Sequence, residues 1–249
     1  MNVEITGAKI LWTLPLFGGI PITETIVNGA IVTAIILLLC IFLTRNLQVK
    51  AVSKRQAVAE MLVAQAHKFV VGNMGEQFAY YIPFVGALFA ASLFSSLLSL
   101  FGMYPPTSDL STTLAWAVLV FVLITYHKIK AGGVGGYLKG FTQPIFVLTP
   151  FNVLSEVATP ISMAFRHFGN IVSGSVITAL VYAALATASH ALFGLLPGVL
   201  GDVLGNIPLL QVGLPAVLSV YFDLFSSFMQ AFIFCMLTTL YIANAAAED

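Results

Sequence analysis

Charge is what this sequence has least of. Only 8% of its 249 residues are Asp, Glu, Lys or Arg, against roughly 25% in soluble domains. Ten basic and ten acidic residues cancel to a formal charge of zero, which gives no case for nucleic acid or an acidic substrate as partner. Cysteine is equally sparse. Cys40 and Cys235 both sit inside apolar runs, so neither a disulfide framework nor a metal cluster is indicated, and both read as small buried hydrophobes. The opening MNVEITGAKILWTLPLFGG has no cationic stretch ahead of a long apolar core, so a cleaved signal peptide is not expected. Catalytic signatures are missing as well. GGVGG at 132–136 lacks the GK[ST] ending of a phosphate loop, and no GxSxG occurs. His67, His127, His167 and His190 are scattered without zinc-site spacing. The sequence predicts no catalytic centre and no cofactor.

What abounds is apolar side chains, at 59% of the chain with a mean hydropathy of +0.99. A spanning helix needs about 20 mainly apolar residues. Such runs occur at roughly 25–44, 81–103 and 111–127, then from about 151 to 186 and from about 208 to 244. This predicts an all-α integral membrane protein with five membrane helices. The last two runs exceed a simple crossing, so they must tilt, bend or lie partly along the membrane. Gly213 and Pro215 are placed to bend the final one early. Between the first two runs, Val58, Met61, Leu62, Ala66, Phe69 and Val70 recur at helical spacing, with Gln56, Glu60, His67 and Lys68 on the other side. That pattern predicts an amphipathic surface helix. The connector 128–150 is rich in Gly and Pro and reads as a loop. With no repeat and no linker, residues 1–249 form one domain.

Orientation follows from the basic residues. Arg45, Lys50, Lys54, Arg55 and Lys68 fall in the first long connector, and Lys128, Lys130 and Lys139 in the third, leaving only Lys9 and Arg166 of the ten. Five crossings put those connectors on one side, which the positive-inside rule makes cytoplasmic. The N-terminus is then expected outside and the C-terminus inside.

Arg166 stands in AFRHFGNIVSG, with apolar-rich sequence on either side. A charge at the centre of a spanning helix costs about 2.5–3.5 kcal/mol on insertion scales, so such residues face protein or water and mark ion pathways. Ser162, Arg166, Gly169, Asn170 and Ser173 share one helical face, adjoined by Thr159 and Gly174. Small residues there permit close approach of another surface, and Asn and Ser can hold water. His167, about 100° around the helix, reads as packed or hydrogen-bonded. The final run repeats the pattern: Asp223, Ser226, Ser227 and Gln230 make a polar stripe. A carboxyl at depth has its pKa raised unless a cation or water offsets the cost, and either outcome suits a proton relay.

At these residues the chain resembles the a subunit of the membrane (Fo) sector of F-type ATP synthases. PISMAFRHFGN at 160–170 is similar to that family's arginine motif, and MQAFIFCMLTTLYI at 229–242 to its C-terminal signature. PPTSDLSTTLAWA at 105–117 and TPFNVLSEVATP at 149–160 also match, in family order. The resemblance implies a stationary partner of a rotating ring of c subunits, with a b-subunit peripheral stalk and other synthase subunits alongside, in an energy-coupling, bacterial plasma membrane. It implies the last two helices paired as a tilted hairpin. Two half-channels would open to opposite faces, with Arg166 at their boundary. Asn170 and Gln230 fall on family polar positions near the arginine, and Asp109 and Glu156 on acids toward the outer and inner access routes.

Two departures bear on the coupling ion. Where many members carry Gly-Glu, this chain has Gly174–Ser175, and where many carry His seven residues before the Gln it has Asp223. Ser173, Ser175, Thr178 and Asp223 could line a wet path for either H⁺ or Na⁺. Proton coupling is the expectation and Na⁺ the alternative. A stand-alone secondary transporter is more remote, because such proteins usually show a repeated half-fold.

Overall fold

The computed structural model describes residues 7–15, 19–49, 53–193 and 220–247. Two short strands come first, β1 (Ile10–Leu14) and β2 (Ile20–Thr23), paired antiparallel as a hairpin. Its outward side chains include Ile10, Leu11 and Trp12. The hairpin was not expected from the sequence. Helix α1 (Glu24–Thr44) follows without a break, Glu24 placing an acid in its first turn, where the helix dipole favours negative charge. Helix α2 (Lys54–Met74) is next, capped by Ser53, whose side chain accepts from the Gln56 amide. Then come a 3₁₀ turn (Glu76–Tyr81), helix α3 (Ile82–Leu97), a second 3₁₀ turn (Leu98–Phe101), and the long helices α4 (Leu110–Gly140) and α5 (Thr149–Phe193). A π-helical turn (Val220–Phe225) leads into α6 (Ser226–Ala247).

Five of these helical stretches are long and apolar enough to cross a membrane: Glu24–Thr44, Glu76–Phe101, Leu110–Gly140, Phe146–Leu192 and Asp223–Ala247. The chain is an all-α membrane protein apart from its small hairpin. The described part of the final run begins at 220, so Gly213 and Pro215 lie outside the described residues, as does most of the connector from 187 to 207.

The helices form a bundle that is apolar at its core and on its outer surface alike. Val70, Met74, Phe78, Val85, Leu88, Val120, Met163, Phe234 and Ile242 make an apolar core. Small polar residues are buried beside it, among them Ser92, Ser95, Ser96, Thr107, Thr113, Thr238 and Thr239. The outer surface carries Leu37, Leu38, Ile41, Phe42, Val122, Leu154 and Phe165. In hydrocarbon the lipid tails are as apolar as Leu, so helices gain association from close-packed small residues and interhelical hydrogen bonds rather than from hiding oil. The Ser96–Thr107 hydroxyl pair, at 3.0 Å, is one such bond.

Helix α5 packs most extensively on α4, and α6 on α3 and α4. The last two helices meet over a smaller stretch centred on Asn170 and Ser226. Helix α2 packs against α6, α1 and α3, with Val70 and Met74 of its C-terminal half buried and Arg55 at its start lying over the Phe42 ring of α1 at 5.1 Å. Its N-terminal apolar residues Val58, Met61 and Leu62 face outward. Gln56, expected on the polar side, is buried because its amide bonds Gln48 and Glu60 at 2.8 Å each.

Two expectations are corrected. Cys40, read as buried, is exposed on α1, while Cys235 is buried as expected. Residues 128–140, read as part of a loop, continue α4 as helix. The break is confined to Gly133, at φ 70 and ψ 170, a conformation open essentially to glycine alone. A single glycine thus takes the kink that the Gly-rich composition suggested would dissolve the helix. Beyond it Tyr137 swings onto α5, where it bonds Glu156.

Candidate functional site

Arg166 lies seventeen residues into α5 by number, counting from Thr149, about 26 Å along its axis at 1.5 Å per residue. Met163, Ala164 and His167 point into the bundle and are buried, which turns Ser162, Phe165 and Arg166 outward. Among the described residues no side chain pairs with the guanidinium, and the ion pair found there is Lys128–Glu156. The Arg166 face is therefore open, with Ser162 and Ser173 exposed on it and Gly169 and Asn170 half-buried at its edge.

His167 holds α5 in this rotation. It is completely buried, 3.3 Å from the Ser92 hydroxyl on α3. The Trp116 and Phe234 rings meet it edge-on at 5.9 and 5.6 Å. Its expected role as a packed, hydrogen-bonded histidine is what the geometry shows. One turn further, the Asn170 amide donates to the Ser226 hydroxyl at 2.8 Å, and that hydroxyl donates back to the amide oxygen at 3.1 Å. This exchange pins α5 to the start of α6. Ser173 bonds the Gly169 carbonyl and Ser175 the Val172 carbonyl, both within α5.

The stripe on the last helix faces inward. Asp223 accepts from the Ser99 hydroxyl at 3.2 Å. Ser227 and Gln230 are buried, and the Ser227 hydroxyl and the Gln230 amide nitrogen have no partner among the described residues. Asp223, Ser227 and Ser175 line one cavity of about 480 Å³ with Ser99. The same cavity is lined by two residues that the sequence reading did not single out for this site, Glu24 and Lys9. Tyr104 lines it as well, its hydroxyl pKa raised by burial and further by the charges of Asp109 and Glu24. Nothing in the periodicity signals that the start of α1 folds beside the start of α6, so Glu24 could be found only from the fold.

Asp109 and Glu156 occupy different surroundings. Asp109 caps α4 through the Ser111 amide at 2.9 Å and accepts from the Thr25 hydroxyl at 3.0 Å. It sits at the same end of the bundle as Asp223 but does not line the cavity. Glu156 is at the opposite end, bonded to Lys128 at 2.9 and 3.2 Å and to Tyr137 at 3.4 Å. A second cavity at that end, about 350 Å³, is lined by Gln77, Tyr80, His127 and Lys130. His127 in turn bonds the Tyr81 hydroxyl at 2.8 Å. The structure thus gathers Ser175 and Asp223 into one hollow, sets Asn170 and Gln230 near the α5–α6 contact, and leaves Asp109 and Glu156 apart.

Comparison with known proteins gives a consistent result. The sequence profile described as ATP synthase A chain matches residues 26–243. ATP synthase subunit a of Desulforamulus reducens is 30% identical over 250 residues, covering 96% of this chain and 88% of that protein. ATP synthase subunit a 1 of Prosthecochloris aestuarii is 32% identical over 238 residues, covering 95% and 94%. ATP synthase subunit a 1 of Crocosphaera subtropica is 36% identical over 186 residues, covering 73% and 81%.

Proposed function

We propose that this chain, which belongs to the ATP synthase A chain family and so is an Fo-sector subunit of an F-type ATP synthase, is the fixed ion channel past which a c-subunit ring turns. The observation that carries the reading is the open, unpaired Arg166 midway along a membrane helix. Left against lipid, that guanidinium costs about 2.5–3.5 kcal/mol on insertion scales. A passing ring of carboxylates removes the cost and gives the charge its work. The fixed cation favours the ionised carboxylate and so lowers its proton affinity as it arrives. It also repels any cation trying to cross directly between the two ends. Arg166 is both attractor and seal.

Two half-channels follow from this placement. The 480 Å³ cavity with Asp223, Ser99, Ser175 and Ser227 supports an outer access route, with Asp109 flanking it. Glu156, held by Lys128 and Tyr137, supports an inner one. Ser173, Asn170 and Gln230 line the approach to Arg166 from either side of the α5–α6 contact. The peripheral b stalk and the remaining synthase subunits hold the chain against rotation. The driving force is about 2.3 kcal/mol per charge for each 100 mV, comparable to the local terms at the arginine.

Protons are the coupling ion in this reading. Sodium is the second reading, favoured by the concentration of hydroxyl and carboxylate oxygens around Asp223, since hard cations take oxygen ligands. The test is ion-driven ATP synthesis by reconstituted complexes, wild type against Arg166→Ala, with H⁺ and Na⁺ gradients applied separately. The variant is expected to lose coupled synthesis while the soluble head still hydrolyses ATP. Synthesis near the wild-type rate in Arg166→Ala defeats the assignment.

A further inference from the structure

We infer that Glu24 is a second cation-attracting carboxylate of the Asp223 cavity, delivered from α1, and that it and Asp223 together gather a monovalent cation, hydronium or Na⁺, at that mouth. The inference rests on the channel reading of the preceding section. Glu24 and Asp223 line the same hollow, along with Lys9. Two carboxylates against one ammonium leave that lining one net negative charge. A concave site of one sign with low-dielectric walls focuses field and raises the local concentration of the opposite charge.

Three further features fit this role. Glu24 sits in the first turn of α1, where the helix dipole favours a negative charge. Its side chain makes no hydrogen bond or ion pair among the described residues, while its backbone N–H is tied to the Lys9 carbonyl at 2.9 Å. The carboxylate is thus free to act while its anchor is fixed. Lastly, the Ser227 hydroxyl lines the cavity, is 1% exposed and has no partner among the described residues. A buried hydroxyl without a partner is destabilising, and a hydrated cation in the hollow supplies the missing contact. Ser175 lines the cavity too, but its hydroxyl is spent on the Val172 carbonyl and carries no charge. Glu24 therefore brings from another helix a charge that α5 does not place there.

The test uses intact synthase in liposomes. The initial rate of ATP synthesis is followed as outside H⁺ is varied at fixed Na⁺, and as outside Na⁺ is varied at fixed pH, at constant potential. Glu24→Gln is expected to raise the half-saturating outside concentration of the coupling ion about five- to tenfold, with the maximal rate within twofold of wild type. The arm that shifts identifies the ion. Glu24→Asp keeps the charge and should stay within twofold of wild type throughout. Adding Ser175→Glu to Glu24→Gln returns a carboxylate to the same hollow and should restore the half-saturation point. An unmoved half-saturation point in Glu24→Gln overturns the inference, as does a lowered maximal rate alone or a shift that Ser175→Glu leaves in place. Arg166→Ala, run in parallel, separates the two levels: if it abolishes synthesis while Glu24→Gln changes nothing, the inference on Glu24 fails and the channel reading stands.

Discussion

Asp223 shows how one side chain carries both structure and chemistry. It sits in the π-helical turn ahead of α6, accepts from Ser99, and lines the larger cavity. π-turns occur often at functional sites because they re-aim a side chain that regular helix would point elsewhere. Asp223→Asn keeps the shape and the capacity to accept from Ser99 but removes the charge. The expected outcome is slower ion-driven synthesis from the cavity side, with ATP hydrolysis by the head unchanged; transport equal to wild type across the pH range would take Asp223 off the pathway. Arg166 and Asp223 were legible in the sequence because a charge in an oily run is expensive and therefore conspicuous. Glu24 was not, for the converse reason: an acid at the start of a helix is ordinary, and only the packing of α1 beside α3 and the turn before α6 gives it a cavity to face.

Among the elements, α4 departs furthest from its sequence reading. Four glycines between 132 and 136 argue for a loop, since each disfavours helix by about 1 kcal/mol relative to Ala. The helix resumes past the kink, where Tyr137 bonds Glu156 on α5 from the far side as Lys128 does from the near side. Only Gly133 leaves helical geometry, and a Cβ there would meet no neighbour within 4 Å. The cost of Gly133→Ala is accordingly one of backbone conformation alone, about 1–3 kcal/mol. The purified protein should show a lower Tm, and Gly136→Ala, at a helical position, should not lower it. An equal loss at both positions would show that the kink is not what Gly133 supplies. The spans were legible unevenly: α1, Glu24–Thr44, lies within a residue of the expected 25–44 because length and hydropathy determine it, whereas α4 runs to Gly140, well past the expected 127. The hairpin before α1 was not legible, because its nine strand residues are too few for a pattern to stand out from chance.

For the whole molecule, the alternating direction of the five spans puts Lys9 and Asp223 at one end and Lys139 and Glu156 at the other. From the charge asymmetry we propose that the first end faces outside. With Cys40 and Cys235 replaced by Ser, a cysteine at Lys9 should react with a membrane-impermeant maleimide from outside intact cells, and one at Lys139 only after the membrane is opened. The reverse pattern would invert the chain and exchange the roles given to the two cavities. The separation of Asp109 from the cavity, despite its place in a matching motif, has the same origin as the missed Glu24. Motif order along the chain says which end a residue occupies, whereas its bonds to Ser111 and Thr25 decide which way it faces.

The helices also differ in how they meet a bilayer. Helix α1 has 21 residues, about 32 Å at 1.5 Å per residue, close to the roughly 30 Å of hydrocarbon. Helix α5 has 45, about 68 Å by the same rise. A rod more than twice the slab thickness answers a thinner or thicker membrane by changing its lean, at small cost, while a matched one has no such slack. Shorter or longer acyl chains would therefore strain the protein first at α1 and the strands joined to it, and only afterwards along the face that carries Arg166.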